Sequence, residues 1–195
     1  MWSDESPFNI LRNDGRVRVW RQPHEAMDPS CLVHTAQGNG GTVKVWGAFS
    51  WFGVVPLVRQ IGIVNHSAYL GILNDNVRPQ MLRLFPDGNG LYQDDNAMIH
   101  CAGRVLNWFQ EHDHEFHHIE WPPQSPDLNP IEHLWDYLEV QVRRLEGAPS
   151  SLSELEALLH QEWLNIESSI LQNLVESMPR RVRAVISASG GPTKY

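Results

Sequence analysis

The stretch S-P-D-L-N-P-I-E-H-L-W, Ser125 to Trp135, runs from a cluster of turn residues into a helical pattern and sets an acid, Glu132, on its first turn. Asn129 suits an N-cap, Pro130 the first helical position and Glu132 the third, so any well-capped helix could use them. Ile131, Leu134, Trp135, Leu138 and Val142 then recur at helical spacing as one apolar stripe. Two further acidic clusters, W-S-D-E-S (Trp2 to Ser6) and Y-Q-D-D-N (Tyr92 to Asn96), each follow or end a short apolar segment. Acids brought together from two strand ends and one helix can hold a divalent cation, because hard cations take oxygen ligands.

Upstream, Thr42 to Ser50 and Val54 to Ile61 are rich in Val, Trp and Phe, and the W-F-G region between them predicts an antiparallel hairpin. Asn65 or Ser67 can cap a helix carrying Tyr69, Leu70, Leu73, Val77, Met81, Leu82 and Phe85, with a kink expected at Pro79. Leu91 to Gln93 reads as a short strand delivering Asp94 and Asp95. Ala102 to Glu115 reads as a helix with Val105, Leu106 and Phe109 inward, and His118 to Trp121 as another short strand.

Nearer the N-terminus the chain offers the end of a strand at Met1 to Asp4, a turn-rich run, and the alternating R-V-R-V-W of Arg16 to Trp20. From Arg21 to Gly41 no period survives, which predicts a long loop of a kind uncommon unless functional. Past the Glu132 helix, Ser151 and Glu154 have capping-box spacing ahead of Leu155, Leu158, Leu159 and Trp163. Short helices are expected around Ile170 to Met178 and Arg180 to Ser187. This order predicts one α/β domain over 1–195, a mixed central sheet flanked by helices, with a helical C-terminal region at 151–195.

With 42% hydrophobic and 19% charged residues, the 195-residue chain has an ordinary globular composition. No run approaches the roughly 20 apolar residues of a membrane helix, and M-W-S-D-E-S lacks the regions of a signal peptide, so an intracellular protein is expected. Cys31 and Cys101 have neither disulfide-framework nor zinc-site spacing and read as reduced thiols. The formal charge of −8 argues against a surface that meets nucleic acid everywhere. Three basic patches could still face phosphate or simply be solvated: Arg16, Arg18 and Arg21; Arg143 and Arg144; Arg180, Arg181 and Arg183. His112, His114, His117 and His118 crowd one loop, which reads as a solvated turn rather than a zinc site. Of the eight tryptophans, Trp46, Trp51, Trp108 and Trp135 are expected in the core, with base stacking the lesser alternative.

Taken together, V-W-G-A-F-S-W-F-G (Val45 to Gly53), Q-D-D-N-A-M-I-H (Gln93 to His100), W-P-P-Q-S-P-D-L-N-P-I-E-H-L-W (Trp121 to Trp135) and G-G-P-T-K-Y (Gly190 to Tyr195) resemble the catalytic domain of the Tc/mariner transposases. The resemblance implies a ribonuclease H-like fold and an Asp, Asp, Glu triad at Asp4, Asp95 and Glu132. Asp95 is preferred to Asp94 because the family's catalytic Asp is followed by Asn and stands five residues before a His, as Asn96 and His100 do here. Between Asp95 and Glu132 lie two more residues than in the best-known members; they are expected in the E-H-D-H-E-F-H-H loop.

The resemblance further implies two magnesium or manganese ions, DNA as partner (transposon ends and target), a homodimer, and a clamp-like role for the loop within 16–41. Arg18, Arg21, His100 and His133 are the expected DNA contacts, although packing serves the two histidines equally well. A nuclear location is expected from DNA as substrate. With no helix-turn-helix region before Met1, the chain reads as a truncated element copy, a fragmentary gene model or an excised domain. A metal-dependent strand-cleaving and strand-joining domain is the leading expectation. The competing one is a catalytically inactive remnant that only dimerises or binds DNA or protein.

Overall fold

A computed structural model describes residues 1–10, 41–145, 149–191 and 193–195. The expectations for Arg16 to Trp20, the long loop with Arg18 and Arg21, and Cys31 concern residues outside that set.

Three antiparallel strands, β1 (Trp2–Asn9), β2 (Thr42–Ser50) and β3 (Gly53–Gln60), form one sheet in that order. A parallel pair, β4 (Leu91–Tyr92) and β5 (His117–His118), continues it. Parallel pairing of Trp2 with Gln93 joins the two, with Ser3 N donating to Gln93 O at 3.1 Å and Gln93 N to Met1 O at 3.0 Å. The spatial order is therefore β3-β2-β1-β4-β5, with β1 at the centre.

The expected hairpin is present, turning at Trp51 and Phe52. A register shift between Trp46 and Ala48 puts an extra residue in β3, where exposed Pro56 lacks a ladder donor. Unlike the expectation of a strand ending at Asp4, β1 runs on through Asn9, so Asp4 lies within a strand. Its Ser, Pro and Asn residues mask a strand that is specified by pairing with apolar β2.

Helices cover both faces. α1 (His66–Ile72), a π-helical turn (Leu73–Val77) and α2 (Arg78–Leu84) follow the hairpin, with Asn65 Oδ1 accepting from Ser67 N and Ala68 N at 3.0 Å each. At Pro79, where a kink is expected, the π-helical turn ending at Val77 has just given way to α2, and the proline sits in that helix's first turn. Next come α3 (Gly103–Glu111), α4 (Ile131–Arg144), α5 (Leu152–Leu164), α6 (Ser168–Glu176) and α7 (Met178–Ser187).

Strand alternation sends β2 residues into two cores. Val43, Val45 and Phe49 join Ile131, Leu134, Trp135, Leu138 and Val142 of α4 and Leu155, Leu159 and Trp163 of α5. Trp46 and Ala48 meet Tyr69, Leu73 and Met81 on the other side, with Tyr92, Val105 and Phe109. Gly47 faces α4 so closely that a Cβ would stand 2.6 Å from the Trp135 ring. Two expected core residues lie outside: Leu106 is 42% exposed because Trp108 takes the inward position on α3, and Trp51 is 37% exposed at the hairpin tip.

Candidate active site

On β1, alternate residues face opposite sides of the sheet. Trp2 and Phe8 pack on the α4 side, while Ser3 hydrogen-bonds Tyr92 on the other. Asp4 shares the face of Trp2 and meets α4; Glu5 turns toward His100. The parallel Trp2–Gln93 register sets Asp4 and Asp95, each two residues further on, at the same level of adjacent chains. Pairing stops there, and the chains diverge into a cleft of about 410 Å³ lined by Asp4, Asp95 and Glu132 together with the Trp121–Pro126 wall.

The same alternation separates Asp94 from Asp95. Asp94 is 3% exposed and committed to the protein interior, accepting from the Tyr69 hydroxyl and from His118 Nε2 at 2.7 Å. Tyr69 continues through the Tyr92 hydroxyl to Ser3 Oγ. Asp95, about half exposed, opens on the cleft. Its Oδ1 accepts from Ala97 N at 2.9 Å and from His100 Nδ1 at 2.6 Å. Asn96 ties this turn to the far wall by donating to Trp121 O at 2.6 Å.

Glu132 arrives on the first turn of α4. The helix starts one residue later than expected: Pro130 is already helical and occupies the cap position, and Asn129 Oδ1 accepts from Ile131 N at 3.3 Å. The amide of Asn129 donates to Ser3 O at 3.2 Å, so the helix carrying Glu132 is fastened beside the strand carrying Asp4. A local capping signal marks Asn129 in the sequence; nothing local marks its bond to a residue near the other end of the chain.

Three acids this close cannot all carry charge without cost. Burial, then the charge of Glu132, with Glu5 and Asp95 adding to it, pushes Asp4 up from 3.8 to about 7 against an opposing backbone hydrogen bond. Burial also raises Glu132, helped by Asp136 and Asp95, while a hydrogen bond with Asp4 pulls it back. Asp4 and Glu132 are thus both harder to ionise than free carboxyls. Asp95 is lowered, chiefly by its bond to His100. Burial pulls His100 down, but its bonds to Asp95 and Glu5 and the nearby acid charges prevail and raise it to about 10. His100 is therefore the imidazolium, 3% exposed, with Nε2 3.4 Å from Glu5 Oε1. Both nitrogens face carboxylates, a placement that suits holding Asp95 rather than meeting DNA.

His133 is half-buried, and its Nδ1 lies 3.1 Å from Arg181 Nη2. The other basic patches divide. Arg143 is spent on Glu139 and the Ile10 carbonyl, and Arg181 is 1% exposed, whereas Arg180 and Arg183 are exposed. In the histidine loop, His112 stacks on Trp108, His117 meets Asp113 and His118 turns inward to Asp94. Among the described residues no three His, Cys, Asp or Glu side chains already enclose a point where an ion would sit.

The family model for DDE superfamily endonucleases matches residues 1–156, taking in all three acids. The chain is 41% identical to the Tcb1 transposase of Caenorhabditis briggsae and 40% identical to the Tc1 transposase of Caenorhabditis elegans, across its whole length and 70% of each of theirs. This chain belongs to the Tc1/mariner transposases of the DDE endonuclease superfamily. Among solved structures, the Mos1 mariner paired-end complex with Mn superposes with a TM-score of 0.78 at 17% identity, covering 98% of this chain and 56% of that one. The isolated Mos1 catalytic domain gives 0.69 at 16% identity, covering 80% of this chain and 78% of that one. At such identities the likeness establishes the ribonuclease H-like fold of this transposase domain. The nematode relatives establish its class, DNA transposase with nuclease and strand-transferase chemistry.

Proposed function

We propose that Asp4, Asp95 and Glu132 are the metal ligands and catalytic acids of this transposase domain. They would hold two divalent cations, magnesium or manganese, for DNA strand cleavage and strand transfer. The observation that carries this reading is the shared cleft: one central strand, the turn after its parallel neighbour and one helix start converge on it with three acids. Two of these, Asp4 and Glu132, are held above the usual carboxylate range by burial and by the acid charge around them. Hard oxygen donors carrying excess negative charge fit a hard cation. Mos1 has been captured with Mn, with Mg and with its left transposon end, which supports the same metals and substrate here.

When bound, a pair of such ions activates the attacking oxygen and balances charge on the leaving one. The chain's own residues prepare for this. Asp4 releases its proton as ligands become anionic, so metal binding is coupled to pH. His100 and the Ala97 amide fix Asp95, and Asn129 fixes the helix of Glu132 relative to β1. Asn96 holds the Trp121 wall over the cleft. Exposed Arg180 and Arg183 are available to phosphate. Homodimerisation and action in the nucleus follow from the same reading, with the segment inside 16–41 as the proposed clamp.

Nicking of supercoiled plasmid in manganese tests the assignment. Asp95→Asn should abolish nicking and the manganese-dependent rise in unfolding temperature while the metal-free fold persists; equal nicking by both proteins refutes it. A wild-type unfolding transition indifferent to manganese would instead support the inactive, partner-binding alternative.

A further inference from the structure

The helix that delivers Glu132 begins without a side-chain cap at its cap position, Pro130. Its anchorage comes from elsewhere, and the second anchor lies beyond residue 156, outside the part of the chain that the family model matches. Arg181 of α7 is 1% exposed. Its Nε donates to Ser177 Oγ at 2.8 Å, its Nη1 to the carbonyl of Asp127 at 2.9 Å, and its Nη2 to His133 Nδ1 at 3.1 Å. A guanidinium only donates, so His133 must present Nδ1 as an acceptor.

Two further contacts close over this arrangement. The Tyr195 ring lies 4.8 Å from the guanidinium carbon, and Thr193 Oγ1 donates to Asp127 Oδ2 at 2.9 Å. Asp127 and His133 bracket the five residues from Leu128 to Glu132. One rigid fork therefore grips both ends of the segment that aims Glu132. Burying a guanidinium is costly unless hydrogen bonds answer its donors, and two of the three used here fall on that turn.

We propose that Arg181, backed by Thr193 and Tyr195, is a positioning latch for Glu132: it holds the Asp127–His133 segment in place so that the carboxylate meets Asp4 and Asp95. The proposal rests on the reading of Glu132 as a metal ligand. Its force is mechanical, and the latch is part of the metal-free protein.

The full chain is compared with Arg181→Met, with the double variant Thr193→Val/Tyr195→Ala, and with Glu132→Gln. Amide hydrogen exchange across Leu128 to Leu134 is followed without metal, and the manganese concentration giving half the rise in unfolding temperature is determined for each. Both latch variants should exchange about tenfold faster in this segment. They should also need about tenfold more manganese, the usual scale for loss of a group that orients a ligand. Unchanged exchange, or an unchanged manganese midpoint beside a shifted one in Glu132→Gln, overturns the latch. If Arg181→Met fails to fold, the double variant decides by the same criteria. If Glu132→Gln keeps the wild-type midpoint, the ligand assignment fails, and the proposed aiming role fails with it, whereas the exchange data still show whether the anchor exists.

Discussion

Replacing Asp4 by Asn should make the metal-free protein more stable, and only at neutral to alkaline pH. In the folded state Asp4 titrates near 7 instead of 3.8, because burial and the neighbouring acids resist its charge. A folded-state value above the unfolded one means that stability is intact below about pH 4. It then declines as pH rises through the interval between the two values and is lowest above pH 7. At about 1.4 kcal/mol for each tenfold change in proton affinity, the full displacement is worth roughly 4 kcal/mol. Asp4 is half-buried, so solvent screening reduces the expected gain to roughly 1–3 kcal/mol at pH 8. Asn suits the test because its amide can still donate toward Glu132.

Urea unfolding of wild type and Asp4→Asn at pH 4 and pH 8, without divalent ions, measures this directly. The variant's midpoint should be higher at pH 8 and nearly coincident at pH 4. Equal midpoints at pH 8, or the same gain at both values, would refute the argument, since only a charge penalty carries that dependence. Manganese should reverse the ranking. At a hundred times its dissociation constant, an ion bound only by the native wild type adds about 2.7 kcal/mol.

Gly47→Ala places a methyl 2.6 Å from the Trp135 ring and 2.9 Å from Leu57; a loss of about 1–3 kcal/mol in denaturant unfolding is expected. Asn129→Ala removes the bonds to Ser3 O and from Ile131 N, which should cost about 1–2 kcal/mol in urea unfolding and weaken manganese binding measured by calorimetric titration. Asp94→Asn disturbs the buried chain through Tyr69 and His118; unfolding should show a loss of about 1–3 kcal/mol without the manganese response disappearing, in contrast to Asp95→Asn.

Features set by short-range pattern were legible in the sequence. The Thr42–Ser50 strand lies where its Val and aromatic content puts it, and the α4 stripe of Ile131, Leu134, Trp135, Leu138 and Val142 is buried throughout. The capping signal at Ser151 is real, with Glu154 N donating to Ser151 Oγ at 3.1 Å, although the Glu154 carboxylate serves Ser150 instead. What escaped was set by partners far along the chain. β1 looked shorter because its polar half is held by β2. Leu106 looked inward because its spacing cannot reveal that Trp108 fills the space. Arg181 read as one of three surface cations, since helical spacing says nothing of a carbonyl at Asp127.

The paired acids show how little sequence distance separates a structural role from a place on the cleft. Asp94 and Asp95 are neighbours, as are Asp4 and Glu5, and in each pair the extended backbone sends one acid to the α4 side and the other toward the Tyr69 side. Composition cannot choose between them; parity can. Once Trp2 pairs with Gln93, Asp4 and Asp95 fall level on adjacent chains, and the interior receives Glu5 and Asp94. Asp94 is answered by Tyr69 and His118, and His100 stands between Glu5 and Asp95. Among the described residues no basic side chain answers Asp4 and Glu132, and burial with the neighbouring acid charge raises both. A fold selected for stability alone would neutralise that pair as it neutralises the other. That the sheet carries both arrangements one residue apart supports the proposed placement of the metal chemistry beside Asp4 and Glu132.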